Sequence, residues 1–144
     1  MHPRTPPAAA SPLDEALARV GDRWTLLVVA ALLDQPRRFG DLQSDLPGIA
    51  PNILTQRLRQ LERNGLMVGR PYCRRPPRFV YELTGRGREL AGALRMLAEW
   101  GARNSEHAEH PQHTVCGTPV EARWYCPTCE EPVDPGDTEE EQYV

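Results

Sequence analysis

The sequence predicts a mainly α-helical domain with one small β-hairpin, followed by a short Cys/His appendage. Three observations carry that reading. Apolar residues recur at helical spacing from Leu13 to Leu61. The period then changes from 3.6 to 2 between Leu66 and Leu83, and returns to helical spacing at Leu90. From Asn104 onward the composition turns to acids, Pro and His with two Cys clusters.

The elements follow in order. Residues 1–10 are Pro/Ala-rich and are expected to be a disordered arm, too poor in apolar residues for a signal peptide. Ser11 is placed to cap a first helix that Pro12 opens, with Leu13, Leu17 and Val20 on one face. Gly21 interrupts, and Asp22 caps a second helix through WTLLVVAALL. That run is apolar all round, so it is expected to be the buried central helix. Asp34-Gln35-Pro36 ends it. A third helix is predicted over about Phe39–Leu46, with Phe39, Leu42 and Leu46 inward, and Pro47-Gly48 makes the turn. Pro51 opens a fourth helix to about Asn64, with Leu54, Leu58 and Leu61 as its core stripe and Ile53 beside them. Gly65 stands where a left-handed residue ends a helix. Leu66 and Val68, then Phe79, Tyr81 and Leu83, read as two strands joined by Arg74-Arg75-Pro76-Pro77. Thr84 is expected to cap one long last helix, Gly85 to Arg103. Leu90, Leu94, Leu97 and Trp100 form its apolar stripe, flanked by Ala93, Met96 and Gly101. So small a protein has few elements to cover that stripe. A second subunit is therefore expected against it, with Leu13, Leu17, Leu90, Leu94, Leu97 and Trp100 as interface residues.

Charge is unevenly distributed. Residues 1–103 hold 16 Arg against 10 acidic residues, a net of +6, whereas residues 104–144 hold one Arg against 10, a net of −9. Between Arg37 and Arg78 stand nine Arg and three acids. No apolar run is long enough to span a membrane, and a cytoplasmic protein with reduced thiols is expected.

A helix fits the major groove of duplex DNA, and the second helix of a helix-turn-helix lays its N-terminal part against base edges. The core stripe of the fourth helix turns Asn52, Thr55, Gln56, Arg59 and Arg63 outward, with Arg57 on the flank. Asn and Gln pair bidentately with adenine and Arg with guanine. Asn52, Gln56, Arg57 and Arg59 are thus the candidate base-readers, and Arg63, a turn further on, meets phosphate. Arg74, Arg75 and Arg78 on the hairpin are candidates for the phosphate backbone or minor groove, and Arg37 and Arg38 for holding the backbone from the start of the third helix. Taken alone, the outward face of the fourth helix is an ordinary solvated surface. The order helix, turn, helix, Arg-tipped hairpin is what points to a winged helix-turn-helix and to double-stranded DNA.

The same order resembles a known family. GDRWTLLVVAALLDQPRRFGDLQSDLPGI, PNILTQRLRQLERNGL, PPRFVYELTGRGREL and ALRMLAEWG are similar to the HxlR-type winged helix-turn-helix regulators of bacteria, over residues 12–101 of 144. The resemblance implies a homodimer, with first and last helices at the interface, binding a dyad-symmetric operator. Two positions depart from the pattern. Family members often carry a Cys just before the Pro at the chain start, which in some acts as a redox switch; here it is Ser11. Many have Ser or Thr capping the recognition helix; here it is Ala50.

Behind the domain (residues 11–103), the segment 104–136 carries His113, Cys116, Cys126 and Cys129 in an H-x2-C…C-x2-C pattern. Two such knuckles make a tetrahedral N/S site, and the segment is too short to bury a core alone. It reads as a zinc-ribbon-like tail with structural zinc. A Cys126–Cys129 redox pair and a metal-free tail stay open, as do His107 and His110 as replacements for His113. Glu130, where a second knuckle often has Gly, weakens the match. Cys73 reads as a small strand residue. Residues 137–144 form an acidic terminus expected to be unstructured.

The functional expectation is a DNA-binding transcriptional regulator, a repressor rather than an activator because occlusion requires no polymerase contact. Two variants stay open: a metal- or redox-responsive regulator whose tail modulates binding, and a module that binds protein rather than DNA. An enzyme is not expected. A thiol oxidoreductase would place Cys126-Pro-Thr-Cys129 at the start of a helix between strands, not in an acidic Pro-rich tail. The effector and operator are not legible.

Overall fold

A computed structural model describes residues 10–107 and 109–137. The expected arm at 1–9 and nearly all of the acidic terminus lie outside the described residues.

Among the described residues, six helices and a three-stranded sheet precede the tail. Helix α1 (Pro12–Val20) starts where Ser11 Oγ accepts from Asp14 N at 3.1 Å. Helix α2 (Arg23–Asp34) starts where Asp22 Oδ1 accepts from Trp24 N and Thr25 N at 3.0 and 3.1 Å. Helix α2 supplies the centre of the core as expected, but it is buried on one side only, with Leu27 and Ala30 exposed. Thr25, Val28, Val29 and Leu32 are buried on it, and Val28, Val29 and Leu32 pack with Leu42, Leu46, Ile49, Leu54, Leu58, Leu61, Met67 and Leu83 in one core. Helix α3 (Phe39–Asp45) and helix α4 (Pro51–Arg63) make the helix-turn-helix. Gly48 and Gly65 take φ of +88° and +69° in the turns that begin and end the α4 region, a conformation open to glycine at little cost.

The wing is a hairpin of β2 (Met67–Arg74) and β3 (Pro77–Leu83), turning at Arg75-Pro76. Its register runs from Met67↔Leu83 to Arg74↔Pro77 with an irregularity between Pro71 and Cys73. Both strands are longer than the alternating residues suggested, because Arg70–Arg74 continue the ladder with mostly exposed side chains.

Two expectations are corrected. Arg37 and Arg38 stand just before α3 as expected, Arg38 as its N-cap, but they are not merely the helix start. They form a two-residue strand β1 opposite Tyr81 and Val80, so the sheet has the order β1-β3-β2. The last helix is also not continuous. It divides into a single turn, α5 (Gly85–Arg88), and α6 (Ala91–Arg103). Thr84 caps the turn as expected, accepting from Gly87 N. Gly87 is pressed so close to the end of the wing that a Cβ there would lie 2.1 Å from Leu66 O. Tertiary contact at Gly87 fixes the turn's place, and Glu89 and Leu90, both right-handed, link it to α6.

The tail has two strands, β4 (Trp124–Cys126) and β5 (Glu131–Val133), paired antiparallel, and a 3-10 turn at Pro135–Asp137. No helix among the described residues is long and apolar enough to cross a membrane.

Candidate nucleic-acid interface

The site is built on α4. Its core stripe, Leu54, Leu58 and Leu61, is buried against α2, and this fixes the rotation of the helix. Asn52, Gln56, Arg59 and Arg63 consequently stand exposed on the opposite side. At 13 residues the helix is about 20 Å long, ample for a major groove. Thr55, half-buried, donates its hydroxyl to Pro51 O at 3.0 Å, which leaves it an acceptor for DNA contacts. Ala50 gives α4 no side-chain cap, as expected.

Arg57 does not join the outward group. Its Nε lies 2.9 Å from Asp22 Oδ1, and its Nη2 donates to Asp22 Oδ2 at 3.2 Å. The Nε–H is off the hydrogen-bond axis, so the contact is a charge pair with one aligned bond. Arg57 is thus held on the cap of α2, away from the outward group expected to read bases. The same flank carries Gln60, whose amide donates to Arg19 O at the end of α1 (3.4 Å). The corner between α1 and α2 therefore holds the recognition helix at two points.

The wing presents Arg74, Arg75 and Arg78, all exposed. Among the described residues, these three and Arg59 and Arg63 form no ion pair, so their guanidinium groups are available to phosphate. Arg37 and Arg38 differ from each other. Arg37 Nε faces Asp45 Oδ2 at 3.4 Å and ties β1 to the end of α3, which removes it from the free cations. Arg38 lies over the Tyr72 ring, 4.6 Å from its centroid, and its N–H donates to Asp41 Oδ2 at 2.9 Å. It remains exposed at the mouth of a groove of about 540 Å³ walled by Tyr72, Arg78, Phe79 and Tyr81. Sequence reasoning did not find that groove, because Tyr72 reaches it through the strand irregularity. Burial, and then the charge of Glu62, pushes the Tyr81 phenol up from its ordinary pKa, so Tyr81 stays neutral at the base of the wing.

The expected subunit interface divides. Leu13, Leu17, Leu97 and Trp100 are exposed, Trp100 at 62 %. Leu90 and Leu94 are instead half-buried against the protein's own core.

In the tail, His113 Nδ1 lies 3.2 Å from Cys116 Sγ, and Cys116 Sγ lies 3.3 Å from Thr118 Oγ1. The Thr118 hydroxyl and backbone N–H, then His113, hold the Cys116 thiol down at about 7. The backbone N–H groups of Cys129 and Thr128 likewise lower Cys126. Cys73 stands apart in the wing, 3.6 Å from Arg75 O.

Residues 19–109 match the HxlR-like helix-turn-helix family. The chain belongs to that family. It is 38 % identical to an uncharacterized HTH-type transcriptional regulator of Mycobacterium tuberculosis over 122 residues, 82 % of this chain and 77 % of the relative. Among solved structures, PA1607 aligns with a TM-score of 0.75 at 30 % identity, over 94 % of this chain and 96 % of that one. The oxidized redox regulator HypR aligns with a TM-score of 0.61 at 30 % identity, over 66 % of this chain and 98 % of its own. This HxlR-like chain is a winged helix-turn-helix, DNA-binding transcriptional regulator.

Proposed function

We propose that this HxlR-like regulator acts as a repressor that binds a dyad-symmetric operator as a homodimer. One observation carries the reading. The outward face of α4 and the tip of the wing hold cations that no carboxylate among the described residues neutralises, on two elements aligned by one packed core. Asn52, Gln56 and Arg59 are the base-readers in this reading. Arg63, Arg74, Arg75 and Arg78 hold phosphates, Arg38 holds backbone beside the wing, and Thr55 accepts at the groove edge. Arg37 and Arg57 contribute through the fold.

The exposed side chains of Leu13, Leu17, Leu97 and Trp100 support a second copy as the partner, since isolated apolar residues are common on surfaces but a stripe on two helices is not. A two-fold axis through that face would set two α4 helices about one DNA turn apart, ~34–36 Å.

Footprinting the full chain on the region upstream of its own gene tests the proposal. Two protected half-sites, related by a dyad and centred about one turn apart, are expected, together with reduced transcription from the overlapping promoter. A single half-site, or protection without any effect on transcription, contradicts it.

A further inference from the structure

The tail contains two turns of matching backbone construction. In the first, Gly117 N donates to His113 O at 2.7 Å; in the second, Glu130 N donates to Cys126 O at 2.8 Å. In each, the residue after the second candidate ligand is left-handed, with φ +70° at Gly117 and +58° at Glu130. Glu130 is the one non-glycine residue with positive φ among the described residues. A side chain disfavours that conformation, so the turn geometry is imposed rather than locally preferred. Each turn leads into antiparallel pairing, His113 N to Thr118 O with the Gln112↔Pro119 bridge, and Cys126↔Glu131.

We propose that these two turns are the knuckles of one zinc site, with His113, Cys116, Cys126 and Cys129 as its ligands. Zinc bound tetrahedrally by one nitrogen and one sulfur sets them roughly 3.5 Å apart, close to the 3.2 Å between His113 Nδ1 and Cys116 Sγ. One imidazole and three thiolates are the donor set of a closed structural site. Among the described residues no three His, Cys, Asp or Glu side chains already converge on one point. Each knuckle is formed, and the metal closes one on the other across residues 117–125, releasing the three thiol protons. Among the described residues, nothing apolar does that work. Val115, Val120, Trp124 and Tyr125 are all exposed, Val115 at 85 %, so metal binding and folding of the tail are one process.

The test uses the full chain, purified reduced, with zinc content measured by mass spectrometry and cobalt(II) as a spectroscopic probe. One zinc per chain is expected, with the thiolate charge-transfer and intense d–d absorption of tetrahedral cobalt. Cys116→Ser, Cys126→Ser, Cys129→Ser and His113→Ala should each weaken zinc binding at least ~10-fold while the helical circular dichroism of the winged domain stays unchanged. Three results overturn the proposal: no zinc uptake by the reduced chain; a Cys126–Cys129 disulfide that forms equally fast with zinc present; or full occupancy in the Cys126→Ser, Cys129→Ser double variant. An unchanged cobalt spectrum in His113→Ala overturns the ligand set.

Discussion

Arg57 of the recognition helix and Asp22 at the start of the central helix are joined, Nε to Oδ1 at 2.9 Å. The same carboxylate caps α2 through Trp24 N and Thr25 N. One side chain therefore starts the core helix and holds the DNA-reading helix against it.

That double use predicts an ordered series. Asp22→Asn keeps a capping oxygen and loses the charge pair; Asp22→Ala loses both. Removing the cap costs about 1 kcal/mol, and leaving a half-buried guanidinium without its partner costs about 1–3 kcal/mol more. Asp22→Ala is expected to be the less stable by roughly the value of the cap in urea unfolding. Equal stability of the two variants would remove the capping role.

The two glycines on either side of the interruption between α5 and α6 should respond in opposite directions. A Cβ on Gly87 would stand 2.1 Å from Leu66 O, a backbone atom, whereas around Gly92 in α6 nothing lies within 4 Å. Gly87→Ala should cost about 1–3 kcal/mol through overpacking. Gly92→Ala should gain up to about 1 kcal/mol of helix propensity. Thermal unfolding of both variants checks the pair, and a stabilised Gly87→Ala would mean that the backbone around Leu66 yields freely.

Subunit pairing can be separated from folding. Leu97 and Trp100 are more than half exposed, so Leu97→Asp with Trp100→Ser leaves the core intact. Sedimentation should show a monomer with native helical content, and affinity for a full operator should fall towards that of a half-site. A dimer that persists would place the interface elsewhere.

Much of the fold was legible because it is local. As helix caps, Ser11, Asp22 and Thr84 act within three residues of themselves, and the stripe on α4 announces both its buried and its outward side. The failures are long-range. Arg57 looks like a base-reader until its partner, 35 positions earlier, folds beside it. β1 has only two residues and exists because β3 lies next to it. The close approach of Gly87 to Leu66 O beside the break after α5 is likewise a contact that no helical period records. In the tail, spacing alone suggested the knuckles, but the left-handed Glu130 that unites them was visible only in the backbone.

The central claim is a division of labour between α4 and the wing, and a salt series on one operator tests it most directly. Affinities of the wild type, of Gln56→Ala with Arg59→Ala, and of Arg74→Ala with Arg75→Ala and Arg78→Ala would be compared on operator and scrambled DNA. The wing variant should weaken binding to both and make the salt dependence shallower by roughly 0.9 in log–log slope for each phosphate it no longer neutralises. The α4 variant should lose operator preference, by about 1–3 kcal/mol for each base pair no longer read, and largely keep its scrambled-DNA affinity. Operator binding by the wild type that ignores salt, or identical losses in the two variants, would contradict the account.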